Sequence, residues 1–432
     1  MLRFAPSPTG DMHIGNLRVA IFNYIVAKQK NERFLLRIED TDKERNVEGK
    51  DREIMDILAK FSIEWEDTIY QSQNLTFHQN FAYKLLEEKK AFVCFCTPQE
   101  LQKERERAKE LKIPYRYSGK CEQITIEEAA KRNEPFVIRV KKPSHTIKFS
   151  DIIKGDMSFE PKEVDSFVIL RADGTSTYNF ACAIDDMLHD ISIVIRGEDH
   201  LSNTPKQIYI RNLLGYNKEI EYCHLPIILN RDGKKMSKRE NASSVKWLLE
   251  NGFLPQAIAN YLIALGNTTP TEIFTLHEAI EWFDLKKISK APAKFDLERL
   301  RYINREHLKR TSPKKLAELL EYEDEEIGEL AKIYLEEAST LNEISQKIEK
   351  LFNGEREHPE YQKEITQLKS AILARDLPDN FEELKKDLIN RSGLKGKRFF
   401  KPLRILLTGE EHGPEISLLY PHLKKFIKEV LK

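Results

Sequence analysis

Between Asn16 and Lys30 the apolar residues Leu17, Ala20, Ile21, Tyr24, Ile25 and Ala27 recur three or four apart, the spacing of a helix with a covered face. On one side stands Leu2-Arg3-Phe4 and on the other Arg33 to Glu39, both short runs that read as strands. Val47 to Phe61 returns to helical spacing. This strand–helix alternation predicts a parallel sheet, whose ligands gather at the carboxyl ends of its strands. From about residue 80 to 165 the rhythm changes. A charged helix over Pro98–Leu111 precedes short strands at Phe136–Val140 and Ile147–Phe149, which together read as an insertion. The α/β pattern resumes with strands at Ser166–Leu170, Ile191–Ile195 and His224–Ile228. Between the last two, Asn203-Thr-Pro205 is a helix start, because proline is tolerated in a first helical turn. From Ser244 onward the pattern is helical, with no strand ladder beyond short pieces, and Leu316–Ile348 is charged and amphipathic. The expected fold is α/β, a Rossmann-like parallel sheet with an α+β insertion, followed by an all-helical C-terminal region.

A length of 432 residues exceeds what one core organises, so two to four domains are expected. With 32% charged and 40% hydrophobic residues the balance is that of a globular protein. No apolar run approaches the roughly 20 residues that cross a bilayer, and the N-terminus lacks the basic and apolar regions of an export signal. Five cysteines, at 94, 96, 121, 182 and 223, are too few and odd in number for a disulfide scaffold, so a cytoplasmic location is expected. The formal net charge is zero. Any surface for a polyanion must therefore be local, and Arg391 to Arg404 is the best candidate, with six basic residues (Arg391, Lys395, Lys397, Arg398, Lys401, Arg404) and no acid.

Two segments carry chemistry. In Arg3-Phe-Ala-Pro-Ser-Pro-Thr-Gly-Asp-Met-His-Ile-Gly-Asn16 the prolines stiffen a loop and Gly10 permits a turn. His13 and Asn16 then fall three apart at a helix start, where unpaired N–H groups suit a phosphate, and Gly15 lets a flat ligand near the backbone. Far along the chain, Lys234, Lys235, Lys238 and Arg239 surround Gly233 and Ser237, and such a loop can neutralise the charge that grows on leaving pyrophosphate. Alone, the first could be a turn with a surface histidine and the second a solvated basic loop. Their occurrence together favours a nucleotide site.

His13-Ile-Gly-Asn16 resembles the HIGH signature, and Lys235-Met-Ser-Lys-Arg239 the KMSKS signature, of class I aminoacyl-tRNA synthetases. The wider strings Arg37-Ile-Glu-Asp-Thr-Asp42, Thr177-Tyr-Asn-Phe180, Ile195-Arg-Gly-Glu-Asp199 and Lys397 to Gly409 resemble the bacterial glutamyl-tRNA synthetase family over nearly the whole chain. The resemblance implies an enzyme that activates L-glutamate with ATP and Mg2+ to glutamyl-adenylate and then transfers it to tRNA for glutamate, for glutamine or for both. It implies a monomer with a sheet domain in two halves, 1–80 and 166–230. An acceptor-end insertion would cover 81–165, the signature loop with a stem-contacting domain 231–300, and an anticodon-binding region 301–432. His13, Asn16, Lys235, Ser237 and Lys238 would be catalytic, and Gly15, Asp199 and His200 would join His13, Asn16 and Lys238 around ATP. Arg3, Ala5, Ser7, Glu39, Tyr178 and Arg196 would hold glutamate, since planar guanidiniums suit its side-chain carboxylate and reject glutamine. One departure is that Asn16 stands where the signature has its second histidine. Asparagine can donate a hydrogen bond but cannot become cationic.

Three further readings stay open. Without that context Arg3 and Glu39 could be an ordinary ion pair, and Tyr178 a core aromatic. Asp185-Asp186 suggests an acid/base dyad, but neighbouring side chains point apart, so structural pairing is expected. Cys94, Cys96 and Cys121 match a site where some family members hold structural Zn2+; Gln123 replaces the histidine found in others, leaving Tyr117 as the fourth ligand or three reduced thiols without metal. A catalytically silent paralogue that binds tRNA or a partner is the alternative, disfavoured because His13, Glu39, Arg196 and Lys238 occur together.

Overall fold

The computed structural model describes residues 1–236, 240–374 and 376–431. It forms two compact units, Met1–Val245 with Leu262–Phe295, and Lys246–Tyr261 with Asp296–Lys432.

In the first unit, β1 (Leu2–Phe4) leads through a proline-rich turn into α1 (Ile14–Lys30), followed by β2 (Phe34–Ile38), α2 (Lys50–Lys60) and β3 (Asp67–Tyr70). The strands β1, β2 and β3 are neighbours in that order and all parallel, with Leu2 opposite Phe34 and Leu35 opposite Asp67. Helix α1 is covered on more than the single face its spacing predicts: Arg18 and Asn23 are buried along with Leu17, Ile21 and Ile25. Both polar residues find backbone acceptors there, Asn23 Nδ2 donating to Ile195 O at 3.1 Å and Arg18 Nη2 to Leu265 O at 2.8 Å. Its C-terminus closes on Asn31 in a left-handed conformation (φ 52°).

The chain continues through α3 (Leu75–Glu87), β4 (Ala91–Cys94), α4 (Pro98–Glu110), α5 (Ile126–Ala130) and β5 (Val137–Val140). Then come β6 (Ile147–Asp151), β7 (Gly155–Phe159), α6 (Pro161–Val164), β8 (Val168–Leu170), α7 (Tyr178–Leu188), β9 (Ile193–Gly197), α8 (Thr204–Leu213) and β10 (Glu221–Leu225). Two strand assignments differ from the sequence expectation. The strand expected at Ser166–Leu170 to resume the parallel sheet, β8, instead pairs antiparallel with β5 beside β4. Conversely the strand expected at Ile147–Phe149 inside the insertion, β6, pairs with β7 and joins the sheet of β9 and β10 in the order β7-β6-β10-β9. Apolar pattern identifies a strand but not its partner; β8 pairs with β5, and β6 pairs along the edge of β10. The strand expected at His224–Ile228 ends earlier because Pro226 cannot donate to a ladder. Beyond it, β11 (Ile228–Leu229) pairs with β12 (Ala293–Lys294).

The second unit is helical, including Leu297–Arg310, Glu325–Tyr334, Leu341–Asn353, Phe381–Ser392 and Lys397–Thr408. Asn304 is buried inside it, accepting from Leu254 N at 2.7 Å and donating to Ser339 O at 2.6 Å. The basic stretch 391–404 spans a helix end, a left-handed Gly393 and the start of the next helix. Among the described residues, no helix is long and apolar enough to cross a membrane.

Candidate active site

The end of β1, the start of α1 and the ends of β2 and β9 enclose a cavity of about 730 Å³. This is the carboxyl-end location that the alternation of strands and helices anticipates. His13 caps α1: its Nδ1 accepts from Gly15 N at 3.0 Å, which places the ring proton of a neutral imidazole on Nε2. A side chain at position 15 would sit 3.2 Å from that Nδ1, so glycine keeps the cap undisturbed. Asn16 is exposed on the first turn, and Ala5, Ser7, Gly15 and Asn16 all line the cavity with His13.

The opposite end is electrostatic. Arg3 projects from β1 and donates from Nε to Asp186 Oδ1 at 3.1 Å. That oxygen also accepts from Arg37 Nη1 at 2.6 Å, while Arg37 Nη2 reaches Glu39 Oε1 at 3.2 Å. Arg37 and Asp186 are wholly buried. Burial alone would raise the Asp186 pKa, yet Arg3 and Arg37 outweigh it and hold the carboxyl well below its usual range. The alternative reading of Arg3 and Glu39 as an ion pair with each other is not what forms; each has its own partner, and Arg37 with Asp186 links the two. Glu39 Oε1 also accepts from Cys182 Sγ at 3.1 Å, and burial pushes that thiol's pKa up.

Arg196, at the end of β9, is buried and donates to His224 Nε2, Gln207 Oε1, Thr204 Oγ1 and the His200 carbonyl. Tyr178 begins α7 and its hydroxyl meets His200 Nδ1 at 3.0 Å. Burial, then the neighbouring Arg196, push the His200 pKa down to about 4. Asp199 pairs with Lys235 at 3.1 Å, both at the exposed edge of the cavity. Gly197 makes room for the Asp199 carboxylate, since a Cβ there would meet it at 2.6 Å. Ser237, Lys238 and Arg239 lie outside the described residues.

Asp185 and Asp186 do point apart. Asp185 is bonded to Gln71 (2.7 Å), Asn74 (3.0 Å) and His78 (2.8 Å), so neither carboxylate is placed as half of a dyad. Sequence reading missed Arg37, Gln207, His224 and Cys182. A visible signal existed for Arg37 alone: it stands two residues from Glu39 in an apolar strand, hence on the same face.

Cys94, Cys96 and Cys121 bring their sulfurs within 4.8 Å of one another, with Cys96 and Cys121 3.6 Å apart. The Tyr117 hydroxyl lies 3.4 Å from Cys94 Sγ and 3.6 Å from Cys96 Sγ, whereas Gln123 is exposed. Tetrahedral zinc with Zn–S bonds of about 2.3 Å requires sulfurs about 3.7 Å apart, a separation that the Cys96–Cys121 pair meets.

The catalytic-domain model for class I tRNA synthetases (E and Q) matches residues 1–302, and an anticodon-binding-domain model matches 313–423. "Glutamate--tRNA ligase 1" of Nitratiruptor is 69% identical, and the protein of that name from Campylobacter jejuni is 58% identical, each over 100% of both chains. A solved glutamate tRNA ligase from Elizabethkingia meningosepticum, in complex with its amino acid, superposes with a TM-score of 0.85 at 28% identity, covering 99% of this chain and 97% of its own.

Proposed function

The chain belongs to the class I tRNA synthetases of the glutamate and glutamine type, and from that premise we infer that its 730 Å³ cavity is where glutamate meets ATP. The activity is ATP-dependent ligation of glutamate to tRNA. One observation supports the placement of the amino acid: Arg3, Arg196 and Glu39, complementary to the charged groups of glutamate, line one cavity with His13.

The α-carboxylate of glutamate attacks the α-phosphorus of ATP, and the bond to the pyrophosphate oxygen breaks. The terminal hydroxyl of tRNA then attacks the adenylate's carbonyl and AMP leaves. Neither step needs a protein nucleophile; positioning and charge stabilisation suffice. In our reading His13 and Asn16 donate to phosphate, Gly15 gives adenine access to the backbone, and Asp199 and His200 face the adenosine. Lys235 and Lys238 neutralise the pyrophosphate, Ser237 adds a hydrogen bond, and Mg2+ arrives with ATP. The Lys235–Asp199 pair is exposed, so its attraction is weak enough to exchange for phosphate. Arg3 and Arg196 take the side-chain carboxylate, Glu39 the ammonium, and Ala5, Ser7 and Tyr178 complete the pocket.

Residues 1–80 and 166–230 form the halves of the catalytic domain, 81–165 the acceptor-end insertion, 231–300 the loop and stem-contacting part, and 301–432 the anticodon-binding region in this proposal. The stretch 391–404 supplies phosphate contacts. Cys94, Cys96, Cys121 and Tyr117 would hold a structural Zn2+, which would cross-link the insertion. We further propose a cytoplasmic monomer. Charging purified tRNA for glutamate and tRNA for glutamine separately with labelled glutamate tests the function. Product on at least one tRNA supports it and identifies the isoacceptor; none on either, or charging that survives His13→Ala unchanged, refutes the reading.

A further inference from the structure

Arg3, which lines the cavity, shares the Asp186 carboxylate with the wholly buried Arg37. Arg196 is built differently. Nε donates to His224 Nε2 at 3.2 Å and Nη1 to Gln207 Oε1 at 2.9 Å; Nη2 donates to Thr204 Oγ1 at 2.7 Å and His200 O at 3.4 Å. Every one of these acceptors is uncharged. The carboxylate of Asp151 is kept an imidazole away: its Oδ2 holds His224 Nδ1 at 2.7 Å, so the ring's other nitrogen can only accept from Arg196. Burial lowers the His224 pKa, consistent with a neutral ring. A buried cation held by neutral acceptors alone retains its demand for an anion.

We propose that Gln207 is a specificity-determining positioning residue: it fixes Arg196 through an uncharged carbonyl so that the substrate's side-chain carboxylate is left as the countercharge. This rests on the reading of Arg196 as a glutamate contact. Gln207 is the informative position because Gln207→Glu is nearly isosteric. It sets an anion 2.9 Å from Nη1 while asking only that the Asn179 amide, now 3.3 Å from Gln207 Nε2, turn over. Glutamate would then meet an arginine already neutralised, whereas uncharged glutamine would lose nothing.

The test uses the full-length enzyme in tRNA-dependent pyrophosphate exchange, with KM measured for glutamate, glutamine and ATP in the wild type, Q207E, Q207M and R196Q. Q207E should raise the glutamate KM about ten- to a hundredfold, the range of one charge-assisted contact, with the ATP KM near wild type and the glutamine-to-glutamate preference increased. Q207M removes the hydrogen bond without adding charge and should raise the glutamate KM far less. Thermal melting adds a second readout: Q207E gives Arg196 its countercharge and should melt no lower than wild type. Equal effects of Q207E and Q207M on the glutamate KM, or a Q207E that melts lower or fails to fold, overturn the proposal. R196Q separates the two levels. If it leaves the glutamate KM unchanged, the assignment of Arg196 to the substrate fails; if it raises that KM while Q207E matches Q207M, only the role of Gln207 fails.

Discussion

Replacing Asp186 by asparagine should delete one charge from the buried network behind Arg3 while preserving the shape of the side chain. The carboxylate is wholly buried and its Oδ1 accepts from Arg3 at 3.1 Å and Arg37 at 2.6 Å. An asparagine oxygen can still accept both bonds but without opposing either guanidinium. Hydrogen bonds to charged groups contribute about 1.5–3 kcal/mol, and removing one partner of a buried ion pair costs about 3–5 kcal/mol. We expect Asp186→Asn to lower stability at neutral pH by about 3–4 kcal/mol in urea unfolding. The glutamate KM should rise because Arg3 loses its anchor, with little change in that for ATP. The pH dependence follows from the sign of the shift. The folded-state pKa of Asp186 lies below its unfolded value, so its contribution is complete above about pH 4 and declines as pH falls toward the folded value. The difference between wild type and variant should therefore shrink by about 1 kcal/mol between pH 5 and pH 3. A variant within about 1 kcal/mol of wild type at pH 7, or a glutamate KM that does not move, would refute this reasoning.

Lys235→Ala breaks only an exposed pair, so it should change stability by less than about 0.5 kcal/mol, yet slow pyrophosphate exchange about ten- to a hundredfold if the lysine stabilises the leaving group. Because the folded-state pKa of His200 is pushed down to about 4, below its unfolded value, the wild type should lose stability as pH falls from about 6.5 toward 4. His200→Asn should flatten that limb of a melting-temperature profile. Protein purified without an affinity-column metal should contain one zinc per chain by elemental analysis, and Cys121→Ser should lower that content; metal-free wild type would contradict the zinc proposal.

Much of the architecture around the cavity could be read from spacing. The helix after the first proline-rich turn, the parallel strands beside it and the helical second unit all leave local periodic signatures, and the glycine, histidine and proline of the first segment mark a strand-to-helix turn. Partnership was less legible. Strands β8 and β6 pair in other sheets than expected because an apolar run does not encode which edge it will meet. Arg3 and Glu39 were each foreseen at the site, but their link passes through Asp186, far away in sequence, and through Arg37 on the apolar strand β2. Gln207 and His224 carry no motif. Only the fold brings them to Arg196, and their importance lies in being uncharged, a property that composition does not flag.

The central claim is that paired and unpaired buried charges make this cavity a site for glutamate. Its most direct measurement is pyrophosphate exchange by the wild-type enzyme, in the presence of tRNA, with glutamate and glutamine compared at equal concentration. Exchange with glutamate, and a preference over glutamine that collapses in Arg196→Gln, is the expected result. Comparable exchange with both amino acids, or a preference unchanged by that substitution, would contradict it.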